Sequence, residues 1–232
     1  MLWRFLLAGV LGGLCYLDRT AACQLMLHRP LVAATLMGAI FGNLAAGAQV
    51  GAVLELIFLV HLPVGASMPP DDTGAAIFAG SAAAVASSSI GLDGGSFTAL
   101  ILLSVLFAEL GKAADRMVRK LNGRIAHLTR ESVDRGDLQA VEHGLLAGLT
   151  LFAASGAVLA LLFSGAGMAV SKFLLPRFGP ESRVDFSALQ PVLPLIGAAS
   201  VFACGRTERT AGIFFLTMAA AFGATVFFRW LV

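Results

Sequence analysis

The sequence predicts an all-α fold: a polytopic transmembrane helix bundle with broken or re-entrant helices and one amphipathic cytoplasmic helix. Three observations predict it. Of the 232 residues, 58% are hydrophobic and only 13% are charged, with a mean hydropathy of +0.86 that lies far from the composition of soluble domains. The apolar residues fall into runs of the length a bilayer requires, and the charges gather in one stretch, 112–142. At about 20 apolar residues per crossing, the chain has room for roughly seven or eight crossings and little else. It therefore reads as a single integral membrane domain over 1–232, with N-terminal helices in 1–111, a cytoplasmic loop or helix in 112–142 and C-terminal helices in 143–232. A water-soluble enzyme is excluded, and a net charge of +2 without an aromatic-interleaved basic patch excludes nucleic acid as a partner.

The first run spans 2–17. Trp3 and Arg4 at its edge suit an interfacial anchor, and Asp18-Arg19-Thr20 is no small-x-small cleavage site, so an uncleaved crossing is expected. Runs at 31–48 and 49–66 follow with no charged turn between Pro30 and Pro70, only Gly42-Asn43, Gly47 and Gly51. Two crossings or a pair of re-entrant half-helices both satisfy this pattern, and either places the segment inside the bundle, where irregular backbone finds partners. Further crossings are expected at 74–92, 97–111, 144–168, 187–204 and 210–228. The Ala/Ser tract from Ser81 to Ser89, with Gly74 and Gly80, predicts close helix packing.

Within 112–142, Lys112, Arg116, Arg119, Lys120, Arg124, Arg130 and Arg135 outnumber the acids, which predicts a cytoplasmic location. Val118, Leu121, Ile125 and Leu128 recur at helical spacing, so a surface-lying amphipathic helix is expected, either a plain connector or a dock for a cytosolic partner. Counting crossings from this loop puts Asp18 to Pro30 and Arg206 to Arg209 on the same side, with Asp93-Gly94-Gly95, Pro176 to Asp185 and both termini opposite.

Carboxylates in apolar surroundings are the informative residues, because an acid at the centre of a spanning helix costs about 2.5–3.5 kcal/mol on insertion scales. Glu55 lies in Gly51-Ala52-Val53-Leu54-Glu55-Leu56-Ile57-Phe58 with no cation in the run, and reads as a site residue or as a helix–helix hydrogen-bonding group. Asp71 and Asp72 follow Pro69-Pro70, where the prolines break the helix; Asp72 or Thr73 is the expected N-cap of the next helix, and Asp71 the expected ligand contact. Carboxylates accept hydroxyl donors while amides both give and accept, so the inventory suits a neutral polyhydroxyl ligand such as a sugar. Gln24, Asn43 and Gln49 are the amide candidates, and Phe58 or Phe78 could present an apolar face to a sugar ring.

Cys15, Cys23 and Cys204 lack any metal-ligand spacing and read as core residues; no metal, cofactor or catalytic residue is expected. Walker A, GxGxxG, HExxH and GxSxG motifs are absent. His28, His61, His127 and His143 have no partner visible in the sequence, so no phosphorylated or catalytic histidine is expected.

The run His28-Arg29-Pro30-Leu31-Val32, then Gly38, Gly42-Asn43, Gly51-Ala52-Val53-Leu54-Glu55-Leu56-Ile57 and Gly65-Ala66-Ser67-Met68-Pro69-Pro70-Asp71, resembles the membrane IIC component of mannose-family sugar phosphotransferase systems. The motif order matches over roughly residues 24 to 75, and the remainder agrees in length and hydropathy. The resemblance implies a sugar-translocating permease subunit in the bacterial cytoplasmic membrane, multi-pass and oligomeric. It implies assembly with a IID membrane component and with cytosolic IIA and IIB phosphocarriers that pass phosphate to an incoming hexose or amino sugar, with Glu55 and Asp71 near that sugar. The sequence departs from the family pattern at Asn43, where aspartate is common, at Val53, where threonine is common, and in the spacing before His28, which leaves the sugar open. Two other readings stand beside transport: a lipid or polyprenyl transferase holding Mg²⁺ with Asp71 and Asp72, and a non-transporting scaffold or regulatory subunit.

Overall fold

The computed structural model describes residues 2–22, 24–59, 68–178, 189–190, 192–196 and 199. Six helices account for most of them: α1 (Leu2–Thr20), α2 (Pro30–Phe41), α3 (Leu44–Phe58), α4 (Asp72–Ser89), α5 (Gly94–Asp134) and α6 (Gln139–Phe173), followed by a 3₁₀ turn at Leu175–Phe178. The expected crossing at 210–228, most of that at 187–204, and Cys23, His61, Cys204 and the Gly65-Ala66-Ser67 element lie outside the described residues.

The break between α2 and α3 falls at Gly42-Asn43, five residues before the expected boundary, and its chemistry explains why. Gly42 adopts φ 111°, a left-handed C-cap that glycine occupies at little cost, and its N–H donates to Gly38 O at 2.9 Å. Asn43 then caps α3 by accepting from the Ala46 N–H at 3.0 Å. At 1.5 Å per residue α2 is about 18 Å long and α3 about 22 Å, so each falls short of a hydrocarbon core of about 30 Å. The pair is a hairpin of short apolar helices. Gly38 and Gly47 meet at its crossing, where a Cβ on either would lie within 2.9 Å of the other's Cα.

Helix α4 is the axis of the bundle. Every residue from Thr73 to Ala84 is buried, and it packs against α2, α3, α5 and α6. The Ala/Ser/Gly tract allows this: Gly80 rests on the Ala34 backbone of α2 and Gly167 of α6 rests on Phe78 and Ser81. Phe78 stacks on Phe107 with centroids 3.9 Å apart, and Phe107 meets Phe163 edge-on at 5.3 Å. Phe78 is therefore a core residue and no sugar-facing platform. Helix α1 lies along α6 through Gly12, Gly13 and Gly156, with Gly156 against the Tyr16 ring.

The charged stretch folds differently from the expectation of a surface-lying helix. Residues 112–134 simply continue α5, a short turn follows at 135–138, and α6 returns. Helices α5 and α6, about 60 and 50 Å long at 1.5 Å per residue, are long and apolar enough to cross a membrane and still extend well beyond a core of about 30 Å. The extension is a helical hairpin. Ile125, half-buried, faces α6 beside close contacts of Thr129 with Gly144 and Asn122 with Gly148, while Leu121 and Leu128 stay exposed, at 42% and 62%. The stripe is thus divided: Ile125 packs toward α6, and Leu121 and Leu128 are left uncovered.

Candidate functional site

Four chain segments meet where α1 ends: the C-terminal turn of α1, the stretch 24–29 leading into α2, the end of α3, and the Pro69-Pro70 entry to α4. Between them and α5 lies a cavity of about 190 Å³, lined by Arg19, Thr20, His28, Arg29, Phe58, Leu59, Pro69, Pro70, Asp72, Asp115 and Arg119. One side is apolar and rigid, from Phe58 and the two prolines. The rest is charged.

Each guanidinium in this cavity is held by a carboxylate. Arg19 forks between Asp71, Asp72 at 3.4 Å and the Pro70 carbonyl at 3.1 Å. Arg29 pairs with Glu55 at 3.3 Å, and Glu55 also accepts from the Leu31 N–H at 3.2 Å, near the start of α2. Arg119 pairs with Asp115 at 2.9 Å along one face of α5. Asp71 itself is fully buried. It accepts from Arg19, from the Tyr16 hydroxyl and from the Gly74 N–H at 3.1 Å, while its own N–H donates to Ala108 O at 3.0 Å. Gly111 of α5 packs on its side chain, leaving no room for a ligand there.

This arrangement changes the roles read from the sequence. Asp71, and neither Asp72 nor Thr73, is the N-cap of α4, because its side chain is the one that reaches the Gly74 N–H. The acids expected to grip a ligand grip arginines instead: Asp71 and Glu55 lie behind Arg19 and Arg29, whose forks line the cavity. Burying an unpaired carboxylate is costly, and a guanidinium from a neighbouring segment satisfies it with two-pronged geometry. Asp72, 19% exposed, does line the cavity.

Asn43 is engaged as a helix cap and donates from Nδ2 to Ser87 Oγ at 2.9 Å, at the end of the bundle where Arg4 reaches the Phe41 carbonyl. Arg4 and Arg19 are about 22 Å apart along α1 at 1.5 Å per residue, so Asn43 stands away from the cavity. Gln24 is exposed, at φ 48°, and lines none of it. Gln49 borders a second, wider cavity of about 590 Å³ with Ala52, Val53, Phe97, Gln190 and Pro194. That cavity contains Val53, the position at which the sequence departs from the threonine common in the family it resembles.

The sequence reading missed Tyr16, Arg19, Asp115 and Arg119 as components of the site, and missed the partner of His28. The signal was the pair Asp18-Arg19 closing an apolar run, taken only as a marker of sidedness. Asp18 is 3% exposed and accepts from the Leu25 N–H, from the His28 N–H at 3.3 Å and, in its Nδ1–H tautomer, from the His28 ring at 2.8 Å. Cys15 is buried, as expected of a core residue.

Comparison with known proteins bears on the fold and on the sequence. The family described as the PTS system sorbose-specific IIC component matches residues 2–228. The chain is 30% identical over 118 residues to the mannose-specific EIIC component of Escherichia coli K12, covering 51% of this chain and 42% of that one. It is 32% identical over 115 residues to the fructose permease IIC component of Bacillus subtilis, covering 50% and 40%. Against the sorbose-specific EIIC component of Klebsiella pneumoniae the identity is 28% over 115 residues, covering 50% and 41%. The chain thus spans about two fifths of the length of the curated relatives it matches. Among solved structures, one described as a membrane protein superposes with a TM-score of 0.70 at 21% identity, covering 95% of this chain and 87% of that one. The mannose transporter ManYZ in complex with microcin E492 superposes with a TM-score of 0.63 at 22% identity, covering 95% and 86%.

Proposed function

The chain belongs to the family of PTS sorbose-specific IIC components, and from that premise we propose that it is the sugar-conducting membrane subunit of a phosphoenolpyruvate-dependent phosphotransferase system. The observation that carries the site assignment is the charged cavity at the end of α1, where guanidiniums from three separate segments, Arg19, Arg29 and Arg119, converge beside Asp72, Asp115 and the Phe58–Pro69–Pro70 wall. Donors and acceptors in alternation around an apolar face suit a polyhydroxyl ring. Glu55 and Asp71 take part as positioning residues, each fixing the arginine in front of it.

In this reading the chain carries no phosphoryl group itself. It assembles with a IID membrane component, and the sugar it passes is phosphorylated by cytosolic IIA and IIB carriers. The helical hairpin formed by the ends of α5 and α6 lies on the same side as the cavity and gives those carriers a surface to approach. The protein is multi-pass in the bacterial cytoplasmic membrane, and the substrate is a hexose or amino sugar.

The test is equilibrium binding of labelled mannose, fructose and sorbose, the sugars named for its relatives, to membranes containing the chain and its membrane partner. Arg29→Gln and Asp72→Asn are expected to weaken binding of the preferred sugar at least tenfold with the protein still inserted. Unchanged binding in both variants refutes this cavity as the sugar site. A second reading places the sugar between Gln49 and Gln190, because Phe97 offers a flat apolar wall to the wider cavity there. Loss of binding in Gln49→Leu together with unchanged binding in Arg29→Gln selects it.

A further inference from the structure

Among the described residues His28 is the one imidazole lining the charged cavity, and its surroundings are those of an oriented base. Its Nδ1 lies 2.8 Å from Asp18, a carboxylate that is 3% exposed and fixed by two backbone N–H groups, so the ring is held in the tautomer that carries its proton on Nδ1. Its backbone carbonyl accepts from Thr73 Oγ1 at 3.0 Å, which ties it to α4 beside Asp72. The remaining nitrogen, Nε2, has no hydrogen-bond partner among the described residues, while the residue lines the cavity. A carboxylate that holds one nitrogen of an imidazole leaves the other as a proton acceptor, the relation between base and orienting group in acid–base sites.

We propose that His28, oriented by Asp18, takes the proton from the sugar hydroxyl that becomes phosphorylated at the cytoplasmic mouth of this cavity; the inference rests on the sugar-conducting reading above. The co-reactant is a phosphorylated side chain on a cytosolic carrier. The sugar oxygen attacks phosphorus, and an O–P bond forms as the bond between phosphorus and the carrier's side chain breaks. The hydroxyl proton passes to His28 Nε2. The carrier's side chain leaves with the electron pair and is protonated from water, and His28 later returns its proton to water. The charged groups facing His28 are Asp18 and Arg19 from α1, Arg29 from its own segment, Asp72 from the entry to α4, and Asp115 and Arg119 from α5.

Two substitutions separate this role from a structural one. His28→Asn keeps a donor near the Nδ1 position for Asp18 and deletes the base; His28→Gln keeps an amide near the Nε2 position that can hydrogen-bond a hydroxyl but cannot accept its proton. Membrane vesicles holding the chain with its membrane and cytosolic partners are supplied with phosphoenolpyruvate and labelled mannose, fructose or sorbose. The rate of sugar phosphorylation is measured, and equilibrium sugar binding is measured without phosphoenolpyruvate. Both variants are expected to lose about 100-fold or more in phosphorylation rate. His28→Gln, whose amide can still hydrogen-bond the hydroxyl, is expected to lose far more in rate than in binding. Phosphorylation by His28→Asn within about threefold of wild type overturns the inference, as does a loss of binding as large as the loss of rate in both variants. Failure of the wild-type chain to bind any of the three sugars overturns the sugar-conducting reading instead, and the inference with it.

Discussion

Asp71 tests the distinction between a residue that grips a sugar and one that grips the fold. The perturbations are Asp71→Ala and Asp71→Asn, compared with Tyr16→Phe. Alanine removes the N-cap of α4, worth about 1 kcal/mol. It also leaves the buried Tyr16 hydroxyl without its acceptor, at about 1–3 kcal/mol, and strips Arg19 of its buried partner. Arg19 keeps Asp72 at 3.4 Å and the Pro70 carbonyl at 3.1 Å, so its charge is not orphaned. The sum is about 3–5 kcal/mol, the range found when one half of a buried ion pair is deleted. Asparagine preserves the cap through its one carbonyl oxygen but turns an amide N–H toward Tyr16, whose hydroxyl must then accept instead of donate, so about 1–3 kcal/mol is expected for the lost charge and the lost acceptor. Tyr16→Phe removes one donor from a carboxylate that keeps two others, for about 1 kcal/mol. Unfolding of the purified chain in detergent micelles should rank wild type above Asp71→Asn and Tyr16→Phe, with Asp71→Ala well below. If Asp71→Ala stays within about 1 kcal/mol of wild type while sugar binding disappears, Asp71 is a ligand residue and the bracing argument is refuted.

Three further outcomes follow from the same geometry. Gly80→Ala should cost about 1–3 kcal/mol by driving α4 off the Ala34 backbone, whereas Gly123→Ala, with open space around its Cβ on the exposed part of α5, should be neutral or stabilising by up to about 1 kcal/mol; equal effects at the two sites, read by thermal unfolding, would contradict the packing described. Asn43→Ala should lose about 1 kcal/mol for the α3 cap and a similar amount for the Ser87 bond, while Asn43→Asp retains the cap, and neither should change sugar affinity; a binding defect in Asn43→Asp would place Asn43 in the sugar path after all. Glu55→Gln keeps the acceptor for the Leu31 N–H and frees Arg29, so stability should fall by no more than about 1 kcal/mol while sugar uptake weakens; uptake equal to wild type in a well-inserted protein removes Glu55 from the site.

The fold class was legible because it depends on composition and period. Apolar runs of bilayer length predict helices wherever they occur, and the turn chemistry at Asp93-Gly94-Gly95 and Pro69-Pro70 marks where those helices begin. The Gly42-Asn43 break was visible too, as a C-cap glycine followed by an N-cap asparagine, though hydropathy alone put the boundary elsewhere. The stretch 112–134 was misread for a different reason. An amphipathic stripe states that one face can be covered, and at Ile125 the cover is α6, whose Gly144 lies 19 residues further on, about 65 Å of extended chain, and is brought close only by the folded hairpin.

The sequence by itself determined that acids lie in an apolar chain and must be satisfied, and it therefore pointed to Glu55 and Asp71. What satisfies them was decided by tertiary structure. Arg19 is 52 residues from Asp71, Arg29 is 26 from Glu55, and Asp18 is 10 from His28. No local period relates these pairs; each forms because a helix end, a proline break and a hairpin of short helices arrive at one level of the bundle. Helical spacing is fixed along a chain by bond geometry, whereas charge pairing across a chain is fixed by which elements pack, and at this site the second decided which groups face the cavity.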